Sequence, residues 1–469
     1  MPVDRDAVRD TAKYLRSVRP IDPVEIAEYV PEQPDPRVLR EVLREEAVSL
    51  ALIERPDGTF VPVDEGPLRR SVETVQGLPD RYVNSVLDLL SERWGPNWHS
   101  GDSGAHLREL IRRLKSEYYR QHSVEYEYHV ALAYAVYHLA NYYATGMYVF
   151  EDMARDGLLP SQLSVLDVGA GVGGPALGLH DLFFETDGED DPPLVSYTAI
   201  EPSDATEILE RLLAETDSNF HTRIVEKRAQ EFTTGREYDL VCFGNVLSEL
   251  DSPVSVVRTY LDFLAEDGTL LLLSPADRNT SILLRDVERA LEGDDVTVYG
   301  PTVRLWPGER PTDTGWSFDR RPDIDPPVFQ ERLAAGAERP AEFLHTEVKY
   351  SYSFLRTDDR TRFDIELSTK NLAKMAQMDR HVSNRIDLIA AKLSHDLATD
   401  GHPLFKISDG SEAIDHFAVL VEKTELNREL HTAPYGGLLR FEQVLALWNE
   451  DEAAYNLIVD DSTIVDRVG

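Results

Sequence analysis

Apolar and polar positions change period several times along this chain, and each change predicts an element. Between residues 4 and 50 the stretches DRDAVRDTAKYLRSV, PVEIAEYV and DPRVLREVLREEAVSL repeat apolar residues at helical spacing. In the third, Val38, Leu39, Val42 and Leu43 share a face behind a proline at the first helical position. ALIERPDGTFVPV then sets two apolar arms around Pro56-Asp57-Gly58, the pattern of a β-hairpin. From residue 64 to 160 the period is helical throughout, ending in the tyrosine-rich apolar run EYEYHVALAYAVYHLANYYATGMYVFEDM. Residues 161–300 alternate short apolar runs (LSVLDVG, VSYTAIE, FHTRIVE, YDLVCFGN, GTLLLLS, VTVYG) with helical stretches. That alternation predicts a largely parallel sheet covered on both faces, with ETDGEDDPP as a surface loop. Residues 301–345 are rich in proline and charge. EVKYSYSFLRTD and RFDIEL read as strands, and STKNLAKMAQMDRHVSNRIDLIAAKLSHDL reads as a helix. Beyond Pro403, LFKISDG, SEAIDHFAVLVEK, GLLRFEQVLALWNE and AYNLIVDDSTIVDRV are strand-rich.

These patterns divide the chain into five parts. Residues 1–65, three helices and a wing, resemble a winged helix-turn-helix module. Residues 66–160 form a helical region packing on the core, 161–300 the α/β core and 301–400 an extension of strands plus a helix. Residues 401–469 form a β-rich module resembling an OB-type barrel. The fold class is therefore α/β: a Rossmann-like core between an N-terminal helical, winged-helix-like region and a C-terminal OB-like module.

Composition narrows the chemistry. The 469 residues carry a net charge of −37, spread along the chain, with a single cysteine, Cys242, and thirteen histidines. One thiol excludes a disulfide framework and a multi-thiolate metal cluster, and the histidines lack metal-ligand spacing, so no metal is expected. An evenly acidic, lysine-poor surface resembles that of proteins from salt-loving archaea, whose cytoplasm screens such charge. No apolar run reaches the length of a membrane span, and the charged N-terminus is unlike a secretory signal. A cytoplasmic protein is expected. In molar salt, net charge does not exclude RNA; local cations and aromatic rings decide. The segment HLRELIRRLKSEYYRQ gathers such groups: Arg108, Arg112, Arg113, Lys115 and Arg120 with Tyr118 and Tyr119 are candidates for RNA contact, against the alternative of a solvated helix face. Arg37, Arg40 and Arg44 on the third helix are diluted by neighbouring acids.

The chemistry concentrates at SVLDVGAGVGGPALGLHDLF. A strand ends in Asp167, glycines follow at 169, 171, 173 and 174, and a helix begins. Glycine at alternate positions makes a tight turn that brings bare main chain to a ligand. A phosphate loop would require GxxxxGK[ST], which is absent. The pattern resembles motif I of class I S-adenosylmethionine (SAM) methyltransferases, and later landmarks follow in order. YTAIEPS ends in Glu201-Pro202, EKRAQEF carries Gln230, FGNVLSEL carries Asn245, Ser248 and Glu249, and FLAEDGTLLLLSP supplies the helix–glycine–strand element. The resemblance implies SAM as cofactor, bound by Asp167, Gly169, Gly171, Gly173, Glu201, Pro202, Gln230 and Asn245. In it Asp167 approaches the methionyl amino group, Glu201 accepts the ribose hydroxyls and Gln230 lies at the adenine edge.

A narrower resemblance spans roughly residues 105–360. The tyrosine-rich helix, SPADRNTSILLRDVERAL, VYGPTVRLWPGERPTDTGWSF and EVKYSYSFLR stand in the order found in methyltransferase-like assembly factors of the mitochondrial and bacterial small ribosomal subunit. It implies the small subunit or its RNA as partner. Cysteines of an iron–sulfur cluster would stand in that region, and here Thr302 and Ser317 are among the residues in their place, so no cluster carries over.

For catalysis, Cys242 reads as a buried small residue rather than the nucleophile of pyrimidine C5-methylation. The Asn/Asp-Pro-Pro-aromatic loop of base N-methylation is missing. Asn245 and Glu249 remain the catalytic candidates, with Ser248, Ser274 and Asp277 as further lining residues. Three functions follow as expectations: methylation of ribosomal RNA or a role in small-subunit assembly, SAM binding without turnover in an assembly factor, and methylation of a small molecule. The oligomeric state is not indicated.

Overall fold

Capping and periodicity together start the N-terminal helices. Asp4, Asp22 and Asp35 each accept a first-turn backbone N–H and open α1 (Arg5–Leu15), α2 (Pro23–Tyr29) and α3 (Pro36–Leu50). β1 (Leu52–Glu54) and β2 (Phe60–Pro62) pair antiparallel around the turn at Gly58, where φ is 84°. Val8, Ile26, Leu39, Leu43, Leu52 and Phe60 close a small core, giving the expected three helices and a wing. The computed structural model describes residues 3–31, 33–120, 125–185, 192–293, 295–365 and 367–468. The chain forms two compact units. One comprises Met1–Cys242, Phe263–Ala265 and Pro322–Val348; the other comprises Phe243–Asp262, Glu266–Arg321 and Lys349–Gly469.

In the first unit, α4 (Asp80–Trp94), α5 (Gly101–Arg120) and α6 (Tyr128–Arg155) precede β3 (Gln162–Val168), α7 (Gly174–Phe184), β4 (Leu194–Ile200), α8 (Ala205–Leu213), β5 (Phe220–Val225) and β6 (Tyr238–Gly244). The strands lie in the order β5-β4-β3-β6, with β3, β4 and β5 parallel and in register from Leu163↔Val195 and Val195↔Phe220. The Asp239 carboxylate pins β6 beside β3 by accepting the Ser164 N–H (2.7 Å) and hydroxyl (2.6 Å). The chain runs outward from β3 and returns on its other side. This places a topological switch point between β3 and β6, where open α/β sheets bind ligands at their carboxyl ends.

The 28-residue α6 is buried from Val130 through almost every residue to Ala154, so Tyr137, Tyr142, Tyr143 and Tyr148 are core while Tyr128 and Tyr134 are half-buried. It lies unusually close to α7. A Cβ on Gly178 would stand 2.5 Å from the Tyr143 carbonyl oxygen, one on Gly174 2.8 Å from the Tyr142 Cβ, and one on Gly146 2.8 Å from Pro175. These glycines set the helix separation, and with it the position of α7 at the end of the β3 loop.

The second unit holds α9 (Pro253–Leu261), β7 (Leu264–Pro275), α10 (Arg278–Leu291), β8 (Thr297–Gly300), β9 (Asp319–Arg321) and β10 (Val348–Arg356), with β10 antiparallel to both β7 and β8. A buried ionic cluster organises it. Glu288, fully buried, meets Arg285 (2.5 Å) and Arg304 (3.1 Å) and accepts the Thr302 hydroxyl (2.8 Å). Burial alone would raise the Glu288 carboxyl, but the two guanidiniums overcome that and hold it at about 2.

The C-terminal strands are β11 (Arg385–Lys392), β12 (Leu404–Ser408), β13 (His416–Leu420), β14 (Leu438–Asn449), β15 (Ala454–Val459) and β16 (Ile464–Arg467). The pairings β11–β12–β13–β15–β14 return to β11 and close an OB-like barrel, with β13–β15 parallel and a short helix, Arg428–Thr432, between β13 and β14. β14 bends around the barrel at Gln443, whose φ is 59°, beside a register shift against β11. The helix expected over 368–397 is not formed: Met375–His381 is a 3-10 turn and Arg385–Lys392 is the first barrel strand. Its run RIDLIAAK is apolar enough to be buried in either form, and periodicity does not separate the two. RFDIEL, expected as a strand, is not one among its described residues.

Two stability outcomes follow. Gly178→Ala should cost about 1–3 kcal/mol through forced separation of α6 and α7, read as a lower denaturant midpoint, whereas the open Gly235→Ala should not. Glu288→Gln, which strands Arg285 in the interior, should cost about 3–5 kcal/mol. Because the native carboxyl titrates below its unfolded value, the Glu288 contribution should be intact above about pH 4.5 and fade as pH falls toward 2. Denaturant midpoints across that range, for wild type against Glu288→Gln, check the sign.

Candidate functional site

The glycine turn after β3 is built from left-handed backbone. φ is 71° at Gly169, 53° at Gly171 and 85° at Gly173, values that side chains with a Cβ rarely adopt. The Gly169 and Ala170 N–H groups donate to the Ile200 carbonyl (2.8 and 3.1 Å), tying the turn to the end of β4. A Cβ at Gly171 would meet nothing within 4 Å, so the main chain there borders open space.

Asp167 is the penultimate residue of β3 and is buried at 1 % exposure. Tyr197 on β4 donates its hydroxyl to Oδ2 at 2.5 Å, while Oδ1 has no ordinary hydrogen-bond partner among the described residues. Only the weak Cys242 S–H donor lies beside the carboxylate as well. Burial lifts the Asp167 carboxyl to about 6, with Glu201 adding to the rise and Tyr197 opposing it. Burial also pushes the Cys242 thiol well above its usual value, and the Asp167 charge adds to that, so the thiol stays protonated and is no nucleophile.

Glu201 follows β4 directly. Its Oε2 accepts the Gly171 N–H (2.9 Å), and its Oε1 accepts the Ser203 N–H (3.0 Å) and hydroxyl (2.5 Å). A carboxylate offers about four acceptor positions. Three are filled from within the chain, so gripping two ribose hydroxyls requires one of these bonds to yield. Asp167, Gly169, Gly171, Gly173 and Glu201 are thus brought together. Pro202 is exposed beside Glu201, and Gln230 is exposed on the 3-10 turn Ala229–Glu231.

Asn245 and Glu249 belong to the second unit. Asn245 follows β6 with φ 61°, and its N–H donates to the Leu273 carbonyl (2.9 Å). Asn is among the residue types that enter that left-handed conformation most readily. Glu249 closes the 3-10 turn Leu247–Glu249 and is exposed. Asp277 is the N-cap of α10, accepting the Asn279 and Thr280 N–H groups, which accounts for it structurally. The Ser317 hydroxyl lies 3.3 Å from the Arg285 Nε and 3.1 Å from the Tyr435 hydroxyl. Thr302 serves Glu288, so both residues act in the ionic cluster.

The basic segment of α5 is occupied internally. Arg108 donates to the His99 and Leu333 carbonyls, Arg112 makes a double contact with Glu342, Arg113 pairs with Glu117, and Lys115 donates to the Glu342 carbonyl and sits over the Tyr137 ring. The side chains of Tyr118, Tyr119 and Arg120 lie outside the described residues. On α3, Arg40 and Arg44 both pair with the buried Glu54, and Arg37 pairs with Asp35. Sequence reasoning missed Tyr197, which orients Asp167; the serine-containing turn after Glu201 belongs to the resemblance, but not the competition of Ser203 for that carboxylate. The short spacing Glu201-x-Ser203 is the one local signal that could have found the latter.

Comparison with known proteins agrees with this geometry. Residues 146–325 match the family model described as methyltransferase domain. Residues 5–56 and 376–468 match models described as the N-terminal and C-terminal domains of a domain of unknown function, DUF8157. No curated protein sequence matches the chain. Among solved structures, the plantazolicin methyltransferase BpumL in complex with SAH is 13 % identical. It covers 59 % of this chain and 99 % of its own, with a TM-score of 0.28. An S-adenosylmethionine-dependent methyltransferase from Clostridium acetobutylicum is 14 % identical, covering 34 % of this chain and 57 % of its own, with a TM-score of 0.24.

The chain thus contains a methyltransferase domain on a Rossmann-like core, with S-adenosylmethionine as its cofactor. The residues present fit that group: an orphaned buried carboxylate oxygen on Asp167, open main chain at Gly171 and a second carboxylate at Glu201. Among the described residues no group of three or more His, Cys, Asp or Glu could hold a metal, and no helix is long and apolar enough to cross a membrane.

Only ionised Asp167 attracts an ammonium, so SAM affinity measured by calorimetry should be level above about pH 7 and fall up to tenfold per unit below about 6. Asp167→Asn should weaken binding by about 1.5–3 kcal/mol at neutral pH and remove that acid dependence. A variant that kept the wild-type pH profile would place the ammonium elsewhere.

Proposed function

We propose that this chain is a SAM-dependent methyltransferase whose acceptor is ribosomal RNA, within or during assembly of the small ribosomal subunit. The observation that carries the methyl-transfer part is the Asp167 carboxylate: buried, held on one oxygen by Tyr197 and, among the described residues, beside only the weak Cys242 donor on the other. An interior charge left half-satisfied is costly unless a cation completes it. Bound SAM supplies an electrophilic methyl group on a sulfonium. The chain's own residues orient it: Asp167 for the amino group, Glu201 for the ribose, and the left-handed glycines for close main-chain approach.

The RNA part rests on the flanking modules. The barrel closed by β11–β14 has the strand order of a fold often used on oligonucleotides, and the N-terminal helices and wing form a second compact attachment. Against this, the arginines of α3 and α5 are engaged with the chain's own acids and carbonyls. That observation favours the alternative of a small-molecule acceptor. The other alternative, a SAM-binding assembly factor without turnover, is supported by the lack of lysine or histidine in the Asn245–Glu249 segment.

Mapping ribosomal RNA modifications in a deletion strain and its parent separates the three. Loss of one methyl group, restored by the wild-type gene and not by Glu201→Ala, is the expected outcome. Full methylation with stalled small-subunit particles would support the assembly factor. Unchanged RNA and unchanged particles would leave the small-molecule acceptor.

A further inference from the structure

The second unit contains a cavity of about 270 Å³ whose lining includes Arg320, Arg321, Lys392, His395, Phe405 and His431. In a chain of net charge −37, such a gathering of cations is an exception. Two acids, Asp319 and Asp396, stand in the same wall. Asp319 accepts from the Arg321 Nε (2.8 Å), the Tyr350 hydroxyl (3.2 Å) and the Arg320 N–H (2.8 Å). Asp396 Oδ1 accepts the N–H groups of Ala398 (3.0 Å) and Leu404 (2.9 Å).

Lys392 is the telling residue. It is 4 % exposed, yet it makes no ion pair among the described residues. Its ammonium donates to the carbonyls of His431 (3.1 Å) and Ala433 (2.9 Å) and lies 4.6 Å from the centre of the Phe405 ring. Carbonyl dipoles and a ring face soften the cost of burying that charge but do not neutralise it. Beside it, the His395 Nδ1 is buried without a hydrogen-bond partner among the described residues. An ammonium, guanidiniums and an unfilled imidazole nitrogen around one cavity match an oxyanion of more than one charge better than a single carboxylate. The exposed His431 ring and the flat side of the half-buried Pro434 border the same cavity and provide an adjoining seat for a planar group.

We propose that this cavity binds a phosphate ester of nucleotide type, with its phosphate at Arg320, Lys392 and His395 and its ring toward His431 and Pro434. Its lining shares no residue with the Asp167 site, and the proposal does not depend on methyl transfer. A free nucleotide and a nucleotide within single-stranded RNA present the same chemistry.

Calorimetric titration of the full-length chain with inorganic phosphate, adenosine monophosphate, adenosine and a short oligoadenylate tests it. The monophosphate should bind at least about tenfold more tightly than adenosine or phosphate alone. Arg320→Ala and His395→Ala should each weaken it about fivefold or more with unfolding temperatures near wild type, and Lys392→Met should weaken it further. Oligoadenylate binding more than about tenfold tighter than the monophosphate identifies an RNA strand as the source; equal affinity identifies a free nucleotide. Absence of heat with both monophosphate and oligoadenylate up to about 10 mM overturns the proposal, as does binding unchanged in both Arg320→Ala and His395→Ala. Because neither substitution touches Asp167 or Glu201, failure here leaves SAM titration of the same samples as an independent measure of the methyltransferase pocket.

Discussion

The constraint on which the first unit turns is a backbone one. Between β3 and α7 the chain passes through positive φ at three alternate glycines, and no other residue type enters that path cheaply. The turn is held from two sides. The Ile200 carbonyl and the Glu201 carboxylate hold its N–H groups, and the fit of Gly174 and Gly178 against α6 holds the helix that follows. Fixed in this way, the turn leaves Asp167 beneath it, buried and half-satisfied. Burial raises the energy of the charged carboxyl, Tyr197 and Cys242 lower it, and one oxygen is left over for a ligand. The placement of both carboxylates is a consequence of chain geometry.

The second unit is organised by charge instead. Glu288 gathers Arg285 and Arg304, and Asp313 takes Arg289 and Lys406 (the latter at 2.6 Å). Each of these acids is buried and lies between cations, so the cost of desolvation is met locally. Thr302 and Ser317 belong to the same network, which gives them structural work in a stretch where the sequence resemblance would have placed cluster ligands. Across the chain, most arginines singled out in the sequence are spent on the protein's own acids and carbonyls.

Much of the core was legible. The strand–glycine–helix signature at 161–184, the strand-end acid Glu201 and the segment from Tyr238 to Glu249 were readable because each depends on residues adjacent in the chain. The helix pattern of 4–50 and the Pro-Asp-Gly hairpin were readable for the same reason. The apolar run at 385–392 was read as helix because a buried strand and a buried helix share its composition, and only its partners β12 and β14 decide between them. The basic face of α5 was read as available because sequence spacing does not reveal Glu342, more than two hundred residues away.

Local conformational limits, the freedom of glycine, the stiffness of proline and the period of apolar residues, are properties of the chain itself. They determined the Rossmann-like turn, its carboxylates and the order of modules without reference to distant contacts. Which charges are neutralised, which carboxylate oxygens are paired and which lysines are buried depend on long-range pairing and on desolvation. Those quantities have no value until the chain is folded, and only the tertiary structure decided them.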